Sequence, residues 1–243
     1  MPRVHLAPQD DRVSTLRADE AAGPLSPTDR TRVRRGRDRA LTERDDLHDL
    51  LDDALVGHLG VDVGDHPVVL PVAFSVDLDG PDEDGTVYVH GSVAARWLGR
   101  ADGATVCLTV TEVDGLVLAR SAFHHSVNYR SAVVISRARV VTDPVEKAHA
   151  LDLTVDHVVP GRAATLRPST RKELAATAVL ALSLHEASVK QRDGDPVDEP
   201  EDVVSGTWAG VVPLRQSARD AVSAVDSHDR VPDHVRRRAD ELR

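Results

Sequence analysis

Valine-rich segments in which apolar and polar residues alternate dominate the middle of the chain. Short alternating stretches with branched side chains are typical of β-strands. We therefore predict the strands Val68–Val76, Thr86–His90, Thr105–Glu112, Leu116–Phe123, Val127–Val141 and Thr207–Leu214. Asp114-Gly115 is a hairpin signal between two of these strands. The acidic segment Asp77–Gly85 is predicted to be a solvated hairpin turn, since it does not match the EF-hand pattern that a calcium loop requires.

Other segments repeat their apolar residues every three or four positions, which indicates helices. Such a pattern follows the cap sequence Ser26-Pro27-Thr28-Asp29 and continues through about Leu59, with its apolar face at Leu47, Leu50, Leu51, Ala54, Leu55 and Leu59. We also predict helices over Ser92–Leu98, Pro144–Val158 and Ser169–Leu184, with Pro160-Gly161 ending the second of these. The charged segment Ser217–Arg243 is predicted to be helical or disordered.

Many antiparallel strands with a few helices predict an α+β fold, a β-barrel with added helices. We expect one folded domain over residues 28–215, between a flexible extension at 1–27 and a charged tail at 216–243. The extension is predicted to be dispensable to about Leu25, because it is polar and has no periodicity.

The composition and net charge of the chain exclude several classes of binding site and partner. Of the 243 residues, 41% are hydrophobic and 2% aromatic, so the core is expected to consist of Val, Leu and Ala. The net charge of −10 argues against nucleic acid as a partner. Cys107 is the single cysteine, which excludes an intramolecular disulfide and a thiolate metal cluster. With no apolar signal segment and no apolar run of membrane-spanning length, we expect a cytoplasmic protein without a membrane or metal partner.

The segment from His90 to Arg96 is the strongest physical candidate for a phosphate site, and no Rossmann, P-loop, zincin or hydrolase motif competes with it. A helix that begins after a strand presents free backbone amides to an anion. Gly91 allows close approach, Ser92 offers a hydroxyl, and Arg96 is expected one turn later on the same face. The alternative is a capped helix that carries a surface arginine.

Three other features have both a functional and a purely structural interpretation. Strand alternation places Arg130 on the face opposite Tyr129 and Ser131, so one face is core and the other is a ligand groove or solvent. The loop that begins with Lys190 and Arg192 either adds cations to an anion site or caps the helix that precedes it. Trp208 either stacks on a flat ligand or packs in a dimer contact.

Two further clusters, one of histidines and one of arginines, are predicted to have no binding role. His124-His125 is expected at a turn, because neighbouring strand residues point apart and chelate poorly. The basic run Arg32–Arg39 is expected to be a solvated helix face and not a nucleic-acid contact, since acidic residues flank it.

Several segments occur together in an order that resembles one family. They are RVRRGRDRALTERDDLHDLLD, YVHGS, VTEVDGLVLARSAFHHSVNYRS, PGR at 160–162, KQRDGDPVD and TWAGVVPL. The chain resembles, from about Thr28 to Leu214, the flavin-nucleotide-binding, nitroimidazole-resistance-type group of the pyridoxamine 5′-phosphate oxidase-like proteins. Ser136 departs from that pattern, since the family commonly has glycine there.

The resemblance implies an FMN-binding split barrel, usually a homodimer with FMN at the subunit interface. By the same resemblance, His90, Gly91, Ser92 and Arg96 contact the FMN phosphate, whereas Tyr129, Arg130 and Ser131 line the flavin site. Trp208 matches an aromatic position near the cofactor or the interface. We expect an FMN-dependent oxidoreductase with a small-molecule substrate or electron donor and no identified catalytic residue. The alternative is a flavin or haem carrier or sensor without turnover, in which a histidine binds the haem.

Overall fold

The alternating segments form two antiparallel sheets in the computed structural model, which describes residues 23–243. The larger sheet contains β1 (Ala40–Leu41), β2 (Gly57–Asp62), β3 (Pro67–Val72), β6 (Thr105–Leu118), β7 (Ser126–Arg137), β10 (Ala187–Arg192) and β11 (Gly210–Pro213). Its order is β1-β10-β7-β6-β2-β3, and β11 pairs with β6. The smaller sheet contains β4 (Phe74–Asp77), β5 (Thr86–Ser92), β8 (Arg139–Val140) and β9 (Thr177–Ser183), in the order β4-β5-β9-β8.

Six α-helices accompany the two sheets within the described residues. They are α1 (Arg44–Asp53), α2 (Arg96–Ala101), α3 (Pro144–Val158), α4 (Arg171–Ala176), α5 (Pro200–Val203) and α6 (Asp233–Glu241). None of these helices has the length and apolarity that crossing a membrane requires.

The main core lies between the inner faces of the two sheets and α1. It contains Leu47, Leu50, Leu51, Leu59, Phe74, Leu108, Leu180 and Leu182, each at most 1% exposed. A second, smaller cluster lies on the other face of the smaller sheet, where Tyr88 and Val179 pack near Ala150 of α3. The smaller sheet is therefore buried on both faces, and this position matters for His90, which follows Tyr88 on the same strand.

Helix α3 has the bounds that the sequence predicts. Its cap is Asp143, whose carboxylate accepts a hydrogen bond from the backbone amide of Val145 at 3.0 Å, and Pro144 occupies the first turn. The predicted strands Thr86–His90 and Thr207–Leu214 also correspond to observed strands, β5 and β11.

Three predicted helices are wrong in extent. The first ends at Asp53, so Leu59 lies in β2. The second begins only at Arg96, after a turn that follows Ser92. The helix predicted over residues 169–184 ends at Ala176 and continues as β9, where four consecutive residues, Val179 to Leu182, are buried. A strand covered on both faces has a continuous apolar run, which resembles a buried helix in sequence.

Three strand predictions are also corrected, and the first concerns Val127–Val141, which breaks at Ala138 into β7 and β8 of different sheets. Val68–Val76 breaks at Ala73 into β3 and β4, which belong to different sheets. Asp114-Gly115 is not a hairpin turn but a β-bulge within the 14-residue β6, where the register with β7 shifts between Val113 and Gly115. The chain instead reverses after Leu118, through the short 3₁₀ turn Ala122–His124.

Near the predicted start of the domain at residue 28, the chain already contributes to the core. Most of the predicted extension, residues 1–22, lies outside the described residues. Leu25 is 5% exposed and belongs to the main core. The basic run is not a helix, because it forms a loop with the 3₁₀ turn Arg37–Arg39. Ser136 is buried, and its hydroxyl accepts a hydrogen bond from the Ser183 amide at 3.0 Å, which links the two sheets.

Candidate functional site

The predicted phosphate segment is divided between a strand and a helix. His90, Gly91 and Ser92 are the last three residues of β5. The Ser92 hydroxyl accepts a hydrogen bond from the Ala94 amide at 3.2 Å, and α2 begins at Arg96. Ser92 and Arg96 therefore do not share a helix face, which corrects the geometry expected from the sequence. His90 and Arg96 each line a different cavity.

The His90 cavity has a volume of about 680 Å³ and lies beside the C-terminal half of α3. His90 belongs to the β5 face that carries Tyr88, because side chains two residues apart on a strand point the same way. The other lining residues are mostly apolar, with charged and hydroxyl side chains among them: Leu151, Val155, Val158, Val159, Ala163, Ala164, Leu166, Pro168, Asp152, Arg162, Arg167, Thr154, Ser169 and Thr177. A volume of this size is typical of a site for a small molecule or cofactor.

The imidazole of His90 has an unmet hydrogen-bonding requirement in its buried position. Its Nδ1 atom is buried and has no hydrogen-bond partner among residues 23–243. Burial lowers the pKa of His90, because removal from water disfavours the charged ring. The ring is therefore neutral near pH 7, and a neutral imidazole nitrogen is a good ligand for a metal.

The Arg96 groove lies between α2 and the β2–β3 hairpin and has a volume of about 710 Å³. Arg96 and Arg100 are one turn apart on α2 and both are exposed. Neither forms an ion pair with a carboxylate of the described chain. Trp97 also lines the groove, together with the apolar residues Val63, Val68 and Leu70. Asp65 and His66, which contact each other, complete the lining, so the groove offers two guanidinium groups, one carboxylate, and an apolar and aromatic wall.

Gly91 lies between His90, which lines one cavity, and α2, whose Arg96 lines the other. A Cβ atom at residue 91 would lie 3.0 Å from Leu98 Cδ1 and 3.3 Å from Trp97 Cζ2. Glycine therefore permits α2 to pack closely on the strand that carries His90. Sequence reasoning missed Trp97, although it is one of only two tryptophans in the chain.

Tyr129 and Ser131 lie on the outer face of the larger sheet. Ser131 is directly opposite Lys190, and Tyr129 is directly opposite Arg192, so the structure brings these four predicted residues together. All four are half-buried.

Arg130 points to the other face of β7, as its alternation predicts. Its guanidinium donates to Asp53 at 2.6 Å and to Asp114 at 3.1 Å. Hydrogen bonds to Asp114 and Asp53 raise the pKa of Arg130 further above its usual range. Burial raises the pKa of the neighbouring Glu112, which lies opposite Arg130 in the sheet. Arg130 therefore joins α1 to the bulge of β6.

Two of the other predicted cations also hold backbone groups. Lys190 Nζ donates to the Arg35 carbonyl at 3.1 Å. Arg192 donates to the Gly194 and Asp195 carbonyls at 3.2 and 3.1 Å, and to the side chain of Asn128. Of the four cations named from the sequence, Arg96 alone makes no ion pair or side-chain hydrogen bond within residues 23–243.

Trp208 lies apart from both cavities, two residues before β11, and is 66% exposed. A Cβ at Gly210 would lie 2.9 Å from its Cζ2 atom, so the indole covers the start of that strand. The remaining exposed part of the ring is free to contact a ligand or another chain.

One acidic group has the spacing of a metal site. Ligand atoms of Glu83, Asp84 and His185 lie within 4.8 Å of one another. Asp84 is already paired with the buried Arg44 at 2.7 Å, so a protein cation balances this cluster.

Comparison with known proteins gives these observations a context. Residues 43–191 match the model of the pyridoxamine 5′-phosphate oxidase family. The structure is similar to the flavocytochrome Anf3 of Azotobacter vinelandii, with 36% identity over 88% of this chain and 98% of that chain, and a TM-score of 0.81. It is similar to an FAD and haem binding protein of Mycobacterium smegmatis, with 38% identity over 82% of this chain and 96% of that chain, and a TM-score of 0.75.

A protein named as a 5-nitroimidazole antibiotic resistance protein, from Bacteroides thetaiotaomicron, is similar in fold. It shares 20% identity over 62% of this chain and 85% of its own length, with a TM-score of 0.50. No protein of curated function matches this chain. The predicted split-barrel fold is confirmed by these likenesses and by the two antiparallel sheets with added helices. The chain belongs to the pyridoxamine 5′-phosphate oxidase family.

Proposed function

We propose that this protein binds a flavin nucleotide and works as a redox protein. The observation that carries the proposal is the likeness, over most of the chain, to a flavocytochrome and to an FAD and haem binding protein. When bound, the flavin supplies hydride or electron exchange at its ring, and the protein orients it and keeps it in place.

Two separate parts of the structure, on opposite faces of the larger sheet, each fit one portion of a flavin nucleotide. The unpaired Arg96 and Arg100 suit a phosphate, since a guanidinium forms charge-assisted, often bidentate hydrogen bonds with phosphate oxygens. Tyr129 and Ser131 offer a half-buried polar face for the ring system. His90, Gly91 and Ser92 would lie next to the cofactor, and Gly91 allows Trp97 to pack against the strand that carries them.

The flavin is FMN by the family resemblance, whereas the M. smegmatis relative is named for FAD. The two nucleotides share the ring and the first phosphate, so the same Arg96 contact serves either. We also propose a homodimer, because the outer face of the larger sheet carries an apolar depression of about 380 Å³ lined by Gly60, Val69, Cys107 and Ile135. A second copy of the chain would bury this depression.

The test of redox function is anaerobic addition of NADH or NADPH to the flavin-loaded, full-length protein. An oxidoreductase loses its flavin absorbance and regains it when air is admitted. A flavin that stays oxidised with both donors, but is reduced by dithionite, would instead indicate a carrier or sensor without turnover.

Haem binding is the second candidate function, and the state of His90 favours it. The cavity offers one buried, unpartnered and neutral imidazole, apolar walls, and the guanidinium groups of Arg162 and Arg167. A neutral imidazole nitrogen would hold the iron of a haem, and guanidinium groups would pair with its two carboxylates. His90 would hold the iron, and Arg162 would bind a carboxylate, since Arg167 is already paired with Glu173 at 2.6 Å.

The haem candidate is tested by mixing haemin with the wild-type protein and with His90→Ala. A Soret band that forms in the wild type and not in the variant supports His90 as the ligand. A band of equal height in both proteins removes His90 from that role. His228→Ala is the control, since this histidine is exposed.

A further inference from the structure

We propose that the cavity between α1 and α3 binds a divalent transition-metal cation, such as zinc, and that the metal joins the two helices. This α1–α3 cavity has a volume of about 420 Å³. Five of its lining side chains are possible metal ligands, and the rest are apolar. The possible ligands are His48, Asp49 and Asp52 of α1, and Asp156 and His157 of α3. The cavity shares no residue with the His90 cavity or the Arg96 groove, so the inference goes beyond flavin binding.

The ring of His157 is held in a tautomer and orientation that are common among metal-binding histidines. Its Nε2 atom donates to the Ala54 carbonyl at 2.8 Å, so in the neutral ring the proton is on Nε2 and the lone pair is on Nδ1. The buried ring of Phe74 packs against it, with 4.9 Å between the ring centroids. A histidine that binds a metal usually donates its other ring N–H to a carbonyl or a carboxylate. His157 Nδ1 is therefore available to a metal.

His48 leaves its other ring nitrogen, Nε2, for a metal. Its Nδ1 atom lies 4.0 Å from a carboxylate oxygen of Asp45, which favours the proton on that nitrogen. The lone pair is then on Nε2, an atom that is buried and has no hydrogen-bond partner within residues 23–243. Burial lowers the pKa of His48, so the ring is neutral near pH 7. A buried polar atom without a protein partner indicates a bound water or ion, and a metal would satisfy this one.

The carboxylates of the α1–α3 cavity are not balanced by a protein cation. No lysine or arginine lines the cavity, and Asp49, Asp52 and Asp156 form no ion pair with either residue type in the described chain. One oxygen of Asp156 accepts a hydrogen bond from the Ala163 amide at 2.7 Å, which orients the group. Asp52 lies one turn after His48 on α1, so both side chains project from the same face. A bound cation would offset the repulsion among these carboxylates.

The combination of imidazole and carboxylate groups indicates the class of metal. Imidazole nitrogen suits zinc, nickel and copper, whereas magnesium and calcium prefer oxygen ligands. Among the described residues, only ligand atoms of Glu83, Asp84 and His185 already lie within 4.8 Å of one another, and an arginine balances that cluster. In the α1–α3 cavity, Asp49 and Asp52 are exposed, so their side chains can rotate towards a metal that the two histidines hold.

The experiment titrates zinc into the full-length protein by calorimetry at neutral pH, after metals have been removed with EDTA. We expect a single zinc ion per chain, and a higher melting temperature with zinc, because the metal binds the folded protein. His48→Gln/His157→Gln should weaken zinc binding about a hundredfold or more, since loss of groups that only orient ligands already costs about tenfold to a hundredfold. The matched control His125→Gln/His228→Gln removes two exposed histidines and should bind zinc as the wild type does.

Asp49→Asn/Asp52→Asn is the second variant, and it decides the matter if the histidine variant does not fold, because both aspartates are exposed. It should weaken zinc binding about tenfold or more. A wild type that binds no zinc, or equal binding by the wild type and both cavity variants, would overturn the assignment. So would loss of binding in His185→Gln without loss in His48→Gln/His157→Gln, since the metal would then lie in the other cluster. Calcium binding as tight as zinc binding would contradict the imidazole ligands.

Discussion

Arg96 and Arg130 have the same side chain and opposite surroundings. Arg130 contacts two carboxylates and so joins α1 to the larger sheet, whereas Arg96 lies exposed in a groove without an acidic partner. A sequence shows that both residues are cationic, but Asp53 and Asp114 are distant from Arg130 in the chain. Their contact depends on the bulge in β6, which the sequence presents as a turn. Only the structure therefore shows that Arg96 is free to bind an anion and Arg130 is not.

The Arg96→Ala variant tests the proposed phosphate contact. Hydrogen bonds to charged groups contribute about 1.5–3 kcal/mol, so FMN affinity should fall about tenfold to a hundredfold. Riboflavin has no phosphate, so its affinity should barely change. Titration of both ligands into the wild type, Arg96→Ala and the exposed-arginine control Arg237→Ala measures the difference. Equal losses for FMN and riboflavin would mean that Arg96 supports the fold or the ring site.

His48 predicts a pH dependence of stability. Burial lowers the pKa of His48 in the folded protein, and its Nε2 atom has no partner within the described chain. The unfolded chain then binds a proton that the folded protein does not, so stability is fully present above pH about 6.5 and falls below it. His48→Gln should flatten the fall in urea midpoint between about pH 7.5 and about pH 5.5. An unchanged slope in His48→Gln, matching that of the exposed-site control His228→Gln, would contradict this.

At the scale of elements, local chemistry predicted α3 and misassigned β9. The start of α3 is fixed by Asp143 and Pro144, two neighbours in sequence, so its boundary is visible without the fold. The identity of β9 depends on β5, β8 and the two cores that cover it, all of which are distant in sequence. Thr177–Ser183 has an apolar run that suits either a buried strand or a helix. Only its pairing with β5 and β8 shows that this segment is a strand and not a helix.

Asp143→Ala tests the cap of α3. Loss of an N-cap carboxylate costs about 1 kcal/mol, within a range of about 0.5–2 kcal/mol. We expect a correspondingly lower free energy of unfolding from urea titration. Asp143→Ser keeps an oxygen at the cap and should lose much less. Asp152→Ala, at an exposed position of the same helix, should be neutral or slightly stabilising, because alanine is the better helix former. A loss for Asp152→Ala equal to that of Asp143→Ala would show that the cap contributes nothing special.

At the scale of the molecule, the sequence predicted the family fold correctly but not where His90 and Arg96 lie relative to each other. Motifs such as YVHGS and VNYRS occur along the chain in the same order as in the family, so the resemblance can be recognised from sequence. The division of His90 and Arg96 between two cavities depends on where β5 ends and α2 begins. That boundary lies within a five-residue interval, and the presence of Gly91 and Ser92 alone does not determine it.

The proposed homodimer is tested through the outer face of the larger sheet. Val69 is 67% exposed and lines the apolar depression there. We expect the full-length protein to be a dimer at micromolar concentration by light scattering, and Val69→Glu to shift it towards monomer, because a buried unpaired charge is costly. Val225→Glu, at a fully exposed position in the C-terminal segment, should leave the dimer intact. A wild-type monomer that still holds flavin would contradict the proposal.

The most direct measurement is the absorption spectrum of the full-length protein as purified, followed by mass analysis of the ligand that it releases on denaturation. The account predicts the two visible bands of an oxidised flavin, and the mass of a flavin nucleotide in the released fraction. A protein that shows no flavin absorbance as purified, and that gains none after incubation with FMN or FAD, would contradict it.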